Sequence, residues 1–409
     1  MAYKSFLCRI VNIENRESQK AKNEPSKVSV LHSMMEVRML RSVSKALSFL
    51  MRFLFVFVGL SFPRFFRSFS YSFVVYGSQK DKDEGWPRWL QRYLDKKQVA
   101  LRKKHNNPKF QLLLPMSLMH IDGSWGIVLA TFSSQETFSA KPFYAVQALQ
   151  QARELCPNAE VIAGAGQFGS WLHQVDDFVP QQPYTTGQLG TLYTMYEATK
   201  QLTINHAKEP SETTLVVLGG AGHIGSRLTH ILAKEYKLVI AMDPRFGDEV
   251  ASEPGAKRPL ESSNPNLLQK ADLVIVLTPK GDDILPYVDF LQADSVIGFD
   301  SHPGPSTSTL KKLYEVTTSI YQIRMINERT SLRTIPRLQG YEPQDVVGCL
   351  LTALVYLMKK DISFVEYGDD NFSTQMDGFF STARTLGFTP KLTPPTRARE
   401  ILYGKNSCS

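Results

Sequence analysis

Thr214-Leu215-Val216-Val217-Leu218-Gly219-Gly220-Ala221-Gly222-His223-Ile224-Gly225-Ser226 is the stretch that decides the fold. Its apolar run, bounded by glycines, reads as a strand buried on both faces. Ile224, Leu228, Ile231 and Leu232 then follow at helical spacing. In Gly220-x-Gly222-x-x-Gly225 the first glycine permits a tight turn, the second lets backbone approach a pyrophosphate, and the third lets helix pack on strand. The helix's first N–H groups face the anion. A second strand, Lys237 to Met242, ends in Asp243, a carboxylate placed to accept from a ribose hydroxyl. The order strand, turn, helix, strand, acid predicts a dinucleotide site made by Gly220, Gly222, His223, Ile224, Gly225 and Asp243.

Beyond Asp243 the chain is loop-like through Pro244, Gly247, Pro254, Gly255 and Pro259. Asp272 to Leu277 is a further buried strand, and its end, Thr278-Pro279-Lys280, belongs at the carboxyl edge of a parallel sheet, where ligands bind. Thr278 is therefore a cofactor candidate. Ser295 to Asp300 is another strand, which brings Asp300 and His302 to the same edge as proton-handling candidates, His302 reading more simply as a loop residue.

Upstream, Phe110 to Pro115 and Trp125 to Thr131 read as strands around a turn at Asp122-Gly123-Ser124, Pro142 opens a helix, and Ala159 to Ala163 is a third strand. That strand enters a second glycine pattern, Gly164-x-Gly166-x-x-Gly169. No long helix and no acid-ending strand follow it, so its glycines suit close approach to a substrate or to a facing segment. From Asp81 to Lys104, charges interleave with Trp86, Trp89, Leu90, Tyr93 and Leu94 as in an amphipathic helix that packs on the body's edge or meets a partner. Toward the C-terminus, a helix over Gln344 to Lys360 is apolar on two sides, and another over Ser373 to Leu386 stops at Gly387.

The predicted architecture is α/β: a Rossmann-type parallel sheet over 191–335, a smaller α/β substrate domain over 81–190 and C-terminal helices over 336–395 that close back on it. Residues 396–409 form a tail.

The 409 residues carry a net charge of +8, unevenly spread. Residues 1–104 hold 21 Lys+Arg against 8 Asp+Glu, and the rest 26 against 31. A mildly acidic body argues against a nucleic-acid partner. Residues 1–80 read as a basic extension, either a disordered tail or a targeting segment, with peripheral membrane contact as a further possibility. Its apolar centre, Phe53 to Leu60, is too short to span a bilayer. Cys8, Cys156, Cys349 and Cys408 lie far apart, without CxxC or a Cys/His cluster, so no disulfide framework and no metal site is expected. This composition predicts a cytoplasmic protein, or an organellar one if residues 1–80 are a presequence.

Cys349 alone reads as a small core residue. From roughly Gly123 to Pro390, however, the chain resembles the long-chain acyl-acyl-carrier-protein reductases, which form fatty aldehydes. Lys141, Gly164-Ala165-Gly166, Thr185-Thr186-Gly187, Gly220 to Ser226, the strand ending at Asp300, the helix holding Cys349 and Met376 to Phe388 follow in that family's order. The resemblance implies Cys349 as acyl acceptor, Lys141 as a substrate-side lysine, NADPH as reductant, and an acyl-carrier protein or acyl-CoA with a long acyl chain, plus an aldehyde-consuming enzyme, as partners. Asp243 stands where that family carries arginine and implies NAD, while Arg245 remains in reach of a phosphate, so the cofactor is NAD(P)H. The favoured expectation is reduction of an acyl thioester through an acyl-cysteine. The alternatives are a dehydrogenase of a small hydroxylated substrate similar to the shikimate dehydrogenases, which needs a lysine-aspartate pair, and a nucleotide-binding protein without turnover.

Overall fold

The computed structural model describes residues 63–77, 88–107, 110–121, 123–175, 178, 183–247, 257–301, 303–328, 333–335, 342, 344–359, 372–395 and 398. All of them belong to one compact unit, Phe55–Ser409. His302, Trp86, the Phe53–Leu60 run and the tail apart from Ala398 lie outside the described residues.

In chain order the elements are β1 (Tyr71–Gly77), α1 (Arg88–Lys104), β2 (Leu113–Ile121), β3 (Ser124–Ser134), α2 (Gln135–Ala140), α3 (Phe143–Leu155), β4 (Val161–Gly164), α4 (Phe168–Leu172), β5 (Tyr184–Thr185) and α5 (Gln188–Asn205). They continue with β6 (Thr214–Leu218), α6 (His223–Leu232), β7 (Leu238–Met242), β8 (Leu260–Ser262), β9 (Leu273–Val276), β10 (Val296–Phe299), α7 (Thr307–Val316) and β11 (Ile320–Asn327). The last are β12 (Arg333–Ile335), α8 (Gly348–Met358), α9 (Phe372–Thr385) and β13 (Phe388–Thr393).

Two sheets result. The second runs β13-β11-β10-β9-β6-β7-β8 and is parallel except for β13, which pairs antiparallel with β11. From β8 inward its order is third, second, first, fourth, fifth, sixth, the doubly wound order of a dinucleotide-binding sheet. Its central strands are apolar throughout because helices cover both faces: every residue of β6, β9 and β10 is buried. Each fully buried Val, Leu or Ile there contributes roughly 1.5–3 kcal/mol. The first sheet runs β12-β2-β3-β1-β4-β5.

The first sheet corrects the sequence reading. Tyr71 to Gly77 falls inside the supposed basic extension, yet β1 lies between β3 and β4, parallel to both, and Tyr71, Ser72, Phe73 and Val74 are buried. The first α/β unit therefore starts before residue 81. Two outer strands cross the predicted boundaries as well: β12 pairs with β2 of the first sheet, and β13 joins the second.

Between the sheets run α5 and α8. One core joins Tyr71 and Phe73, Leu192 and Met195 of α5, Leu215 and Val217, and Leu350 and Leu354 of α8. The helices cross where both carry glycine. A Cβ on Gly190 would lie 2.3 Å from the Gly348 carbonyl oxygen, and one on Gly348 would lie 2.7 Å from Thr191 Cα. The Gly190 N–H also donates to Thr352 Oγ1 at 2.8 Å. This close crossing seats Cys349, the second residue of α8, against the loop that begins α5.

Candidate active site

A cavity of about 830 Å³ opens at the carboxyl edge of the second sheet. Gly219, Gly222, His223, Ile224, Gly225, Asp243, Thr278, Asp300 and Cys349 all line it. Gly219 adopts φ 88° and, with Gly220, donates its N–H to the Met242 carbonyl, so the loop folds over the end of β7. A Cβ on Gly220 would lie 2.7 Å from Ala241 Cα, and one on Gly225 would lie 2.2 Å from the Gly219 carbonyl oxygen. Gly222 caps α6, whose unpaired first-turn N–H groups suit an anion. The backbone geometry fits the pyrophosphate of a dinucleotide. Thr278 donates its hydroxyl to the Lys280 carbonyl at 2.8 Å, which fixes the turn after β9.

Asp243 is placed as expected but is already occupied. Arg245 donates from Nε to Oδ1 at 2.8 Å and from NH2 to Oδ2 at 3.0 Å, its backbone N–H donates to Oδ1 at 3.1 Å, and the Ala221 N–H reaches Oδ2 at 3.3 Å. Four donors saturate the carboxylate's acceptor sites. Burial pulls the carboxyl upward, but the Arg245 bonds outweigh it and hold the group below the usual carboxylate range. On this geometry Asp243 alone does not select NAD: a ribose hydroxyl would have to share or displace the Arg245 guanidinium, whose side chain is 65% exposed. Arg245→Gln is expected to weaken NADPH binding about ten- to a hundredfold, while NADH binding holds or tightens; fluorescence titration of both dinucleotides checks this.

At the far end of the cavity Asp300, Ser301 and Cys349 come together. Burial raises the Asp300 carboxyl to about 7, against the opposing charge of Arg324, which is itself buried. Ser301 Oγ is buried without a hydrogen-bond partner. Burial also lifts the Cys349 thiol to about 11, with the Asp300 charge adding to it, although backbone groups of Gly166, Cys349 and Leu350 bond toward the sulfur and pull the other way. The second glycine pattern thus serves close approach: Gly166, at φ 58°, lies against Cys349 and Tyr76, and the Tyr76 hydroxyl accepts from the Gln167 N–H at 2.8 Å.

Known proteins add little to this geometry. No family model and no curated protein matches the chain. Among solved structures, a shikimate dehydrogenase from Aquifex aeolicus is 19% identical, over 62% of this chain and 86% of that one, with TM-score 0.33. Quinate dehydrogenase from Corynebacterium glutamicum in complex with NAD is 11% identical over 76% and 99%, with TM-score 0.33. D-lactate dehydrogenase from Lactobacillus jensenii with NAD+ is 11% identical over 61% and 78%, with TM-score 0.29. Such scores assign no activity, and the functional reading rests on the site itself.

Lys141 does not reach the cavity wall. It is exposed just after α2, its ammonium 5.6 Å from the centre of the Tyr144 ring. His223 does, but its imidazole stacks on His173 at 4.0 Å. Burial, then the charges of Arg227 and Arg245, lower its pKa. The wall beyond the cradle adds residues the sequence reading did not single out: Tyr76, Gln167, Ser170, Gln188, Thr191 and Ser301. Tyr76 had a signal, since Tyr71 to Gly77 has a strand's composition. The others sit in turns and helix starts where sequence gives no direction.

Proposed function

We propose that the chain is a NAD(P)-dependent oxidoreductase that moves a hydride between the dinucleotide and a compact, polar carbonyl or hydroxyl substrate. One observation carries this reading: the glycine loop of the cradle shares a single cavity with Asp300 and with the polar side chains of Gln167, Ser170, Thr186, Gln188, Thr191 and Ser301. Gly219 and Gly222 to Gly225 would hold the pyrophosphate, and Arg245, paired with Asp243, would meet a phosphate on the adenosine ribose. When bound, the nicotinamide supplies the hydride donor or acceptor. In the oxidising direction Asp300, as carboxylate, takes the substrate's hydroxyl proton while the C–H electron pair leaves as hydride. In the reducing direction the carboxylic acid returns that proton to the carbonyl oxygen. A pKa near neutrality suits both roles. Among the described residues no lysine lines the cavity, so the proton-handling role falls to Asp300 rather than to a lysine-aspartate pair. Incubation with a panel of hydroxy acids and polyols, NAD+ or NADP+, tests the proposal; appearance of reduced nicotinamide with one of them supports it, and none with any panel member in either direction opposes it.

A second reading, acyl-thioester reduction, is favoured by the placement of Cys349 on the cavity wall with backbone groups of Gly166 and Leu350 toward its sulfur. Cys349 would lose its proton, attack the thioester carbon and expel the carrier thiol, and hydride would then release the aldehyde from the sulfur. Leu350, Leu351, Ala353 and Leu354 are core residues rather than lining, which favours a short acyl group. Intact-mass measurement after mixing with short and long acyl thioesters, without reduced cofactor, separates the readings. The first expects no adduct and a Cys349→Ala variant that keeps its turnover; the second expects an acyl adduct that this variant loses.

A further inference from the structure

The outward face of α1 is built unlike the rest of the surface. The helix carries Arg88, Arg92, Lys96, Lys97, Arg102, Lys103 and Lys104 against a single acid, Asp95. Leu90, Leu94 and Gln98 fix its inner side: Gln98 Nε2 donates to the Phe110 carbonyl at 3.1 Å and Gln98 Oε1 accepts from the Leu112 N–H at 3.0 Å. Arg102 Nε donates to the Phe110 carbonyl as well, at 3.1 Å. By helical spacing, Arg92, Lys96 and Lys103 then run down the middle of the opposite face. Trp89 and Tyr93 flank them on one side, 60% and 50% exposed, and Val99 on the other, 52% exposed.

Lysine and arginine around outward Trp and Tyr match the boundary of a membrane: the cations meet lipid phosphates and carboxylates, while the amphipathic rings settle at headgroup level. Further upstream the chain has no acidic residue from Val37 to Lys80, although Asp81, Asp83 and Glu84 stand between that stretch and α1. An acidic protein partner would use the same charges and rings, but the acid-free, phenylalanine-rich stretch from Val37 to Lys80 in the same chain favours the lipid surface. We propose that α1 docks this protein flat on the surface of a bilayer containing anionic phospholipid. The proposal is independent of the reaction run in the cavity. No helix among the described residues is long and apolar enough to cross a membrane, so the contact is peripheral.

Sedimentation of the full chain with vesicles tests it. Binding is expected with phosphatidylcholine mixed with phosphatidylserine, not with phosphatidylcholine alone, and is expected to fall as salt is raised. The triple variant Arg92→Glu, Lys96→Glu, Lys103→Glu should lose at least about tenfold in vesicle affinity, and Trp89→Ser with Tyr93→Ser severalfold. Circular dichroism of the triple variant should match the parent, because Arg92, Lys96 and Lys103 are exposed. Absence of binding to phosphatidylserine vesicles overturns the proposal. So does binding that survives the triple substitution, or binding to heparin or an acidic carrier protein without binding to vesicles.

Discussion

Gly225→Ala is expected to weaken dinucleotide binding about ten- to a hundredfold and to destabilise the protein by about 1–3 kcal/mol. The added methyl carbon would sit 2.2 Å from the Gly219 carbonyl oxygen and 3.0 Å from Gly220 Cα, and both are backbone atoms that cannot rotate away. Either α6 moves off β6 or the loop over β7 reopens. In both cases the N–H groups that face the anion lose their alignment. Gly247→Ala is the matched control, because nothing lies within 4 Å of the position its Cβ would occupy. Titration of reduced nicotinamide fluorescence and thermal melts on the two variants check the pair; equal affinities for both would remove the cradle from the account.

Asp300→Asn is expected to lower kcat by about 10²–10⁴-fold and to abolish the rise of the oxidation rate as pH passes through about 7. The asparagine fills the same space but accepts no proton. Stability should move in the opposite sense. The folded pKa of about 7 lies above the ordinary carboxylate value of 3.8, so the folded state binds this proton more tightly than the unfolded chain. Stability therefore falls as pH rises from about 4 to about 7 and stays lowered above that window. Replacing the carboxyl should stabilise the protein at pH 8 by on the order of 1–3 kcal/mol and change little near pH 4. Urea unfolding at the two pH values reads this directly. A variant that is both inactive and less stable at pH 8 would mark Asp300 as a structural group held by Arg324.

The dinucleotide half of the site was legible because its chemistry is backbone chemistry, and backbone demands appear as glycines at fixed spacing. Gly222, Gly225, Thr278 and Asp300 line the cavity, the last two because uninterrupted apolar runs announce parallel strands, while Gly220 packs on Ala241 instead. Cys349 could be placed on the wall only through the resemblance, since α8 is otherwise a run of core residues. Side-chain pairing was not legible. Nothing in the order Asp243-Pro244-Arg245 says that the guanidinium turns back to occupy the carboxylate, and that turn reverses the cofactor inference. Lys141 failed for a similar reason: a position after a short helix does not reveal which way the ammonium points, and it points to Tyr144. β1 was hidden by its neighbours, because a strand of aromatic and β-branched residues follows directly on a basic, acid-free segment and was assigned with it. The boundary strands β12 and β13 are pairings between distant segments, which local pattern does not encode.

Equilibrium titration of the unmodified full chain with NADPH and NADH, followed by the fluorescence of the reduced nicotinamide and competed with ADP-ribose, tests the central claim most directly. The account expects one saturable site per chain, displacement by ADP-ribose, and tighter binding of NADPH than of NADH because Arg245 neutralises Asp243 and adds a cation beside it. Failure of either dinucleotide to bind at millimolar concentration would contradict the reading of this cavity as a nicotinamide site.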